Sequence, residues 1–241
     1  MLDAETNSWI NSVALLMPDG KTLEEFSGVS RCASTGPFFG FPYATESIYD
    51  LGLQGGQGGS GLSSLGGTLR EQDFASTAPI RHALKIYVWG DENLYYDPAN
   101  PASCYRWPAT RCDGSAGSEA IDGYNGANPK LVQGTLLAIP PNVTEFQLGL
   151  QTEAGRRFFS AMQDYGVYVV GNSNSDAVLF PSTEDGRRAF ESSFGFPIDA
   201  SVWVADVNRL LGVLAIVENN RLDTIGGGGV PRRSLAPPIG D

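Results

Sequence analysis

The sequence predicts a mainly β, single-domain, sandwich-like antiparallel fold with two or three short helices packed against it. The first observation is composition: 30 glycines and 15 prolines among 241 residues, with only 3 methionines, favour turns between short strands over a helical bundle. The second is a series of short apolar runs, each bounded by turn residues. The third is that helical periodicity is confined to the C-terminal half.

The first predicted element is a hairpin over residues 12–26, because an apolar run and a return strand flank a Pro-Asp-Gly turn at 18–20. Residues 31–68 are rich in glycine, serine and proline. This stretch is either a flexible linker or, as Leu62 and Leu65 suggest, a loop packed on the protein body. It has neither the Gly-Lys-Ser/Thr of a phosphate loop nor the second glycine of a nucleophile elbow.

The clearest strand is predicted over residues 82–89, between Pro79 and Gly90. Side chains alternate between the two faces of a strand. The alternation places one set on each face: His82, Leu84, Ile86 and Val88 on one, and Arg81, Ala83, Lys85, Tyr87 and Trp89 on the other.

Further strands are predicted over 135–139 and 167–170, with 177–180 pairing to the latter across a turn. Three helices are predicted in the C-terminal half from their capping residues. They run from Thr152 or Glu153 to Tyr165 before Gly166, from Glu184 or Asp185 to Phe194, and from Asp199 or Ser201 through Leu211. Residues 212–217 then form a terminal strand. We expect one β-rich domain over residues 1–225 and a tail over 226–241 that is mobile or lies on the surface.

The net charge and the cysteine content limit the partners and the metal sites that we expect for this chain. The formal net charge is -11, and an acidic surface repels phosphate backbones and anionic lipids, so we expect neither nucleic-acid nor membrane partners. The lone histidine and the absence of a Cys-x-x-Cys pair argue against a metal site, and we expect no cofactor. Cys104 and Cys112 are predicted to form a disulfide. The alternatives are three separate thiols or a bond from Cys32 to one of the others.

Several ordered segments resemble a family of bacterial, often exported, hypothetical proteins. The quoted segments are GGSGLSSLGGTLR at 58–70, RHALK at 81–85, RWPA at 106–109, GTLLAIP at 134–140 and DYGVYVV at 164–170. Many family members have an aspartate after the last of these, where this chain has Gly171. The resemblance implies one conserved fold and an extracellular or cell-surface location. Residues 1–5 are not a signal peptide, so N-terminal residues are expected upstream of this chain if it is exported.

The candidate catalytic residues are His82 and Asp113. His82 is the only side chain that titrates near neutral pH without perturbation, so it is a candidate general acid or base. Its alternative role is a histidine packed at a sheet edge. Asp113 follows Arg111 in a loop, where the pair could either perform chemistry or hold the loop in place. Other acidic candidates are Asp73, Glu153 and Asp164.

Aromatic and basic residues near these positions suggest a sugar ligand, because the C–H faces of sugars stack on aromatic rings. The expected substrate-binding residues are Arg81, Tyr105, Arg106, Trp107, Arg111 and Tyr124. The leading hypothesis is an exported carbohydrate-active protein that hydrolyses a neutral polysaccharide. The alternatives are a non-catalytic module that binds a polysaccharide or oligosaccharide, and a structural subunit that self-associates through strand edges. A polysaccharide lyase fits less well, because its uronate substrate is a polyanion.

Overall fold

The computed structural model of the chain describes residues 12–119, 122–230 and 232–234. Over these residues the chain forms two sheets, of three and four strands, together with five α-helices. The predicted tail over 226–241 lies partly outside the described residues.

The first sheet is an antiparallel meander of β1 (Val13–Leu16), β2 (Thr22–Arg31) and β3 (Phe38–Ser47). The predicted hairpin is confirmed, with Val13 opposite Phe26. β3 was not predicted, because it lies in the stretch expected to form a loop. Its sequence includes a glycine and a proline, and its pairing with β2 is interrupted by two register shifts, so the usual alternation of a strand is obscured.

The second sheet has the strand order β4-β6-β5-β7. Its strands are β4 (Leu84–Val88), β5 (Leu136–Ala138), β6 (Val167–Asn172) and β7 (Ala215–Ile216). β4 and β6 are parallel, whereas β5 is antiparallel to both β6 and β7. The segment 177–180 does not pair with β6 as predicted, since Leu179 forms a bridge with Tyr87 of β4 instead.

The helices are α1 (Gly90–Asn93), α2 (Glu145–Leu148), α3 (Glu153–Asp164), α4 (Glu184–Phe194) and α5 (Ser201–Leu211). The three predicted helices correspond to α3, α4 and α5. The hydroxyl of Thr152 accepts a hydrogen bond from the N–H of Gly155 and so caps α3, and Thr183 caps α4 in the same way through Gly186.

The hydrophobic core lies between the second sheet and helices α3, α4 and α5. Its centre is aromatic, with the Phe158 and Trp203 rings 4.8 Å apart and the Phe190 and Trp203 rings 5.3 Å apart. Leu84 and Ile86 of β4 are fully buried in this core. The other face of β4, which carries Lys85, therefore points away from this core and toward the candidate site.

The fold class needs a correction. Both sheets are present and mostly antiparallel, but 24% of the described residues are helical against 23% in strands, so the fold is not mainly β. Glycine and proline content indicates turns, and here those turns belong to long irregular loops rather than to additional strands. The predicted disulfide between Cys104 and Cys112 is confirmed, and Cys32 is free and exposed.

Candidate functional site

A cavity of about 510 Å³ is the candidate site. Its walls come from the loops before β4, the first residues of β4, the strand β5, the end of α3 and the segment after β7. The lining is mainly apolar and aromatic, with few charged groups: Leu51, Leu53, Leu62, Ser63, His82, Ala83, Lys85, Trp107, Pro108, Leu136, Ala138, Gln163, Asp164, Tyr165, Tyr168, Val217, Ile225, Arg233 and several glycines.

The glycine-rich loop, residues 55–67, forms one side of the cavity and packs on β4. It is a compact loop rather than a linker, because its backbone is hydrogen bonded to itself: the N–H of Gly55 donates to Gly61 O and that of Gln57 to Leu62 O, both at 2.9 Å. The loop also approaches other segments closely. A Cβ at Gly59 would stand 2.4 Å from the carboxylate of Asp113, so a side chain there would require the Asp113 carboxylate or the loop to move.

The buried carboxylate of Glu25 holds this loop against β2. It accepts hydrogen bonds from the backbone N–H groups of Gly56 and Ser64 and from the hydroxyl of Ser63 at 2.6 Å. Glu46 lies near the same hydroxyl. Burial, followed by repulsion from Glu25, raises the pKa of Glu46 to about 7, although the hydrogen bond with Ser63 opposes this shift. Two carboxylates from the first sheet therefore converge on one serine behind the cavity wall.

Lys85 lies on the cavity wall and is only 3% exposed. Its ammonium donates to Gln57 Oε1 at 2.8 Å and to the backbone oxygens of Ser63 and Ser64 at 3.0 and 3.3 Å. Burial lowers the pKa of Lys85 to about 7, while the charge of Glu25 opposes the shift. With three acceptors for its three protons, this ammonium has no donor left for a ligand.

His82 also lines the cavity, with 14% of its side chain exposed. Its Nδ1 lies 3.0 Å from the backbone oxygen of Ala83, and its Nε2 lies 3.1 Å from Oδ1 of Asp73. A carbonyl oxygen only accepts hydrogen bonds, so Nδ1 must carry a proton here. Burial favours a higher pKa for Asp73, but the hydrogen bond and charge of His82, with the backbone and charge of Arg70, outweigh it and lower the pKa.

Asp113 lies on the other side of the glycine-rich loop, in a separate polar cluster. The hydroxyl of Tyr124 donates to Asp113 Oδ2, and Gln133 Nε2 donates to the same oxygen at 3.1 Å. Burial raises the pKa of Asp113, although Tyr124, the backbone of Asn172, Arg111 and Gln133 act in the opposite direction. Burial, followed by the charge of Asp113, raises the pKa of Tyr124.

Gln57 of the glycine-rich loop hydrogen bonds to two side chains of β4. Its Oε1 accepts from Lys85 and its Nε2 donates to the hydroxyl of Tyr87. Burial, followed by the nearby charge of Asp113, raises the pKa of Tyr87 to about 12. The hydrogen bonds of Gln57 thus extend from the cavity wall to Tyr87, whose hydroxyl is within the electrostatic influence of Asp113. No sequence signal marked Gln57 or Gln133 as important.

The remaining predicted site residues are dispersed. Trp107 shares the cavity with His82, and its indole Nε1 is buried without a hydrogen-bond partner among the described residues. Arg106 donates to the backbone oxygen of Glu218 at 2.6 Å. Arg111 donates to Gly58 O at 3.0 Å and stacks on the ring of Tyr43.

The backbone of Tyr105 forms an isolated β-bridge with that of Gln133. Arg81 is exposed to solvent. The structure thus joins His82 with Trp107, and Asp113 with Tyr124 and Arg111, but does not gather all the predicted residues at one site.

Within the described part of the chain, no group of three or more His, Cys, Asp or Glu side chains is placed to hold a metal ion. The helices described there include none that is long and apolar enough to cross a membrane. Comparisons with models of protein families, with curated proteins and with solved structures find no match to this chain.

Proposed function

We propose that this protein binds a small ligand with a flat, largely apolar face in the cavity beside β4. The observation that supports this most is the combination of volume and lining. A cavity of about 510 Å³ falls in the range of small-molecule sites, which are typically lined by apolar and aromatic side chains with few polar groups. Trp107, Tyr165 and Tyr168 supply aromatic surface on its walls.

Binding fits the site better than catalysis. A general acid or base must exchange a proton with its substrate, but both ring nitrogens of His82 already contact protein oxygens. The pKa of Lys85 is about 7, but its Nζ is buried within hydrogen-bond distance of three protein oxygens. Asp113, the other predicted catalytic residue, is not among the residues that line the cavity. These contacts support the non-catalytic alternative over the hydrolase.

A neutral oligosaccharide is the second candidate ligand, and Trp107 favours it. The indole ring lies on the cavity wall with Pro108, and sugar C–H faces stack on such rings. Each sugar hydroxyl also needs a polar partner, and most polar groups of the wall are already hydrogen bonded within the protein. For this reason an aromatic or aliphatic ligand comes first. The disulfide supports the further proposal of an extracellular or cell-surface location, since disulfides persist in oxidising compartments.

The proposal is tested by filling the cavity. Ala138 lies on its wall, so Ala138→Phe is expected to reduce the volume and to weaken binding of the fluorescent probe anilinonaphthalene sulfonate by about tenfold or more, the change that corresponds to 1.4 kcal/mol. Val204→Phe on the exposed side of α5 is the matched control. Binding would be measured by fluorescence and by calorimetry, with neutral oligosaccharides titrated in parallel.

Equal probe affinity in both variants and the native chain would contradict the proposal, because the probe would then bind elsewhere. Oligosaccharide binding that is lost only in Ala138→Phe would favour the second candidate ligand.

A further inference from the structure

One wall of the cavity is a segment whose described residues make few contacts with the body of the protein. We define the C-terminal strap as residues 225–230 and 232–234. Ile225, Gly226, Gly228, Gly229 and Arg233 of this strap line the cavity. The four consecutive glycines at 226–229 all have positive φ, between 73° and 92°, a conformation that allows the chain to turn sharply and offers little resistance to rearrangement.

The near end of the strap is anchored by hydrogen bonds to the residues that precede it. The N–H of Gly226 donates to Asn220 Oδ1 at 2.9 Å, and that of Gly227 donates to Thr224 O at 2.8 Å. Asn219 donates to the oxygen of Gly227. These contacts lie within one short stretch of chain and fix the position where the strap starts.

The far end is held by the end of α3. Arg232 Nε lies 3.3 Å from Asp164 Oδ1, and Arg233 Nε lies 3.1 Å from Asp164 Oδ2. The hydroxyl of Tyr165 donates to Ser234 O at 3.0 Å. We call the two ion pairs on Asp164 the latch. Both Asp164 and Tyr165 line the cavity, so the latch lies at the site itself.

We expect the two ion pairs of the latch to contribute little free energy, because both arginines are largely exposed. The side chain of Asp164 is 12% exposed, but those of Arg232 and Arg233 are 48% and 70% exposed. Because the arginine end of each pair faces solvent, salt screens both pairs and their contribution to stability is small. Apolar contact adds little, because Ile225 and Val230 are 54% and 94% exposed. The energy that holds this wall closed is therefore small compared with that of the strands and helices that form the other walls.

We propose that the strap is a movable wall of the cavity, which opens when the Asp164 latch breaks and thereby controls ligand access. The motion follows from the strap's own contacts, whereas its role in ligand access rests on the proposed function. Displacement of the strap exposes the Tyr165 side of the cavity to solvent, whereas the strap in its observed position covers part of the cavity and slows the exchange of the ligand.

Amide hydrogen exchange tests the motion without any ligand. In Asp164→Asn, and equally in the double variant Arg232→Gln/Arg233→Gln, exchange in the peptide spanning 226–234 is expected to accelerate roughly fivefold, with unchanged exchange in β4 and α5. Sodium chloride at about 0.5 M should produce the same change in the native chain by screening the latch. Arg188→Gln on α4 is the matched control, since it also breaks exposed ion pairs. Unchanged exchange in both latch variants would overturn the proposal.

The association rate of anilinonaphthalene sulfonate tests ligand access. The rate is expected to rise by the same factor in the two latch variants and to stay unchanged in Arg188→Gln. Accelerated exchange together with an unchanged association rate would overturn the role of the strap in access. A probe that fails to bind the native chain would count against the proposed function alone, and the exchange measurement would still decide whether the latch holds the strap.

Discussion

Lys85 and His82 are close neighbours in the sequence, yet most of the groups that hydrogen bond to their side chains lie in other parts of the chain. The alternation of β4 predicts correctly that Lys85 lies on the face opposite Leu84 and Ile86. It cannot predict that the ammonium is buried, because its acceptors lie 21 to 28 residues away in the glycine-rich loop.

His82 shows the same limit. Periodicity places it on the face of Leu84, but β4 begins only at Leu84, so the alternation does not extend to it. Its partner Asp73 was named as an acidic candidate without any indication that the two would meet. Glu25 has a usable signal, since it lies two residues after the buried Leu23 and so on the same face of β2.

Replacing Lys85 is predicted to remove a pH dependence of stability. The pKa of Lys85 falls from 10.5 to about 7 on folding, so between these values the unfolded chain binds more protons than the folded chain. The free energy of unfolding of the native protein should therefore rise with pH in this range, by about 2 kcal/mol from pH 7 to pH 9. Lys85→Met should lack this rise, as measured by urea unfolding at each pH.

Lys21→Met, in the exposed first turn, is the matched control and should retain the native pH profile. The three acceptors around Lys85 Nζ favour the ammonium and act against desolvation. Identical pH profiles for Lys85→Met and the native chain would show that these acceptors dominate and that Lys85 stays charged throughout the range.

At the scale of elements, the predictable parts are those with local signals. α3 begins after a threonine cap and ends at Asp164, two residues before Gly166, and the first hairpin turns through Pro-Asp-Gly, so each is recognisable within a few residues. β3 and the glycine-rich loop had no such signals. Their conformations depend on contacts with β2 and β4, which become visible only when the chain is folded.

Gly59 gives the element-scale prediction. A Cβ at this position would stand 2.4 Å from the Asp113 carboxylate, whereas one at Gly114 would meet nothing within 4 Å. Gly59→Ala should therefore lower the free energy of unfolding by about 1–3 kcal/mol, the usual cost of overpacking a well-packed site. Gly114→Ala, at a position with ordinary backbone angles, should leave it nearly unchanged. Urea unfolding of both variants decides the matter, and equal stabilities would show that the loop can shift away from Asp113.

At the scale of the whole molecule, two sheets are joined by one loop that contacts both. Glu25 of the first sheet and Lys85 of the second bind the same serine-rich turn from opposite sides. The loop therefore acts as the packing layer that a second sheet face would provide in a sandwich. The fold is predicted as mainly β because glycine- and proline-rich stretches indicate turns between strands. Here one such stretch is an irregular loop that packs on β4, and most of the regular cover on the other face of β4 is helical.

The disulfide gives the prediction for the whole molecule. Cys104 and Cys112 are 8 residues apart, and cross-linking a loop of this length is expected to stabilise the folded chain by about 2–3 kcal/mol through the restricted unfolded state. Cys104→Ala/Cys112→Ala should lose this amount in thermal and urea unfolding, and dithiothreitol should destabilise the native chain equally while leaving the double variant unchanged. Cys32→Ala, which removes the free and exposed thiol, should behave like the native chain. If reduction leaves the native stability intact, the bond contributes nothing to the fold, and the argument for an oxidising compartment loses its energetic basis.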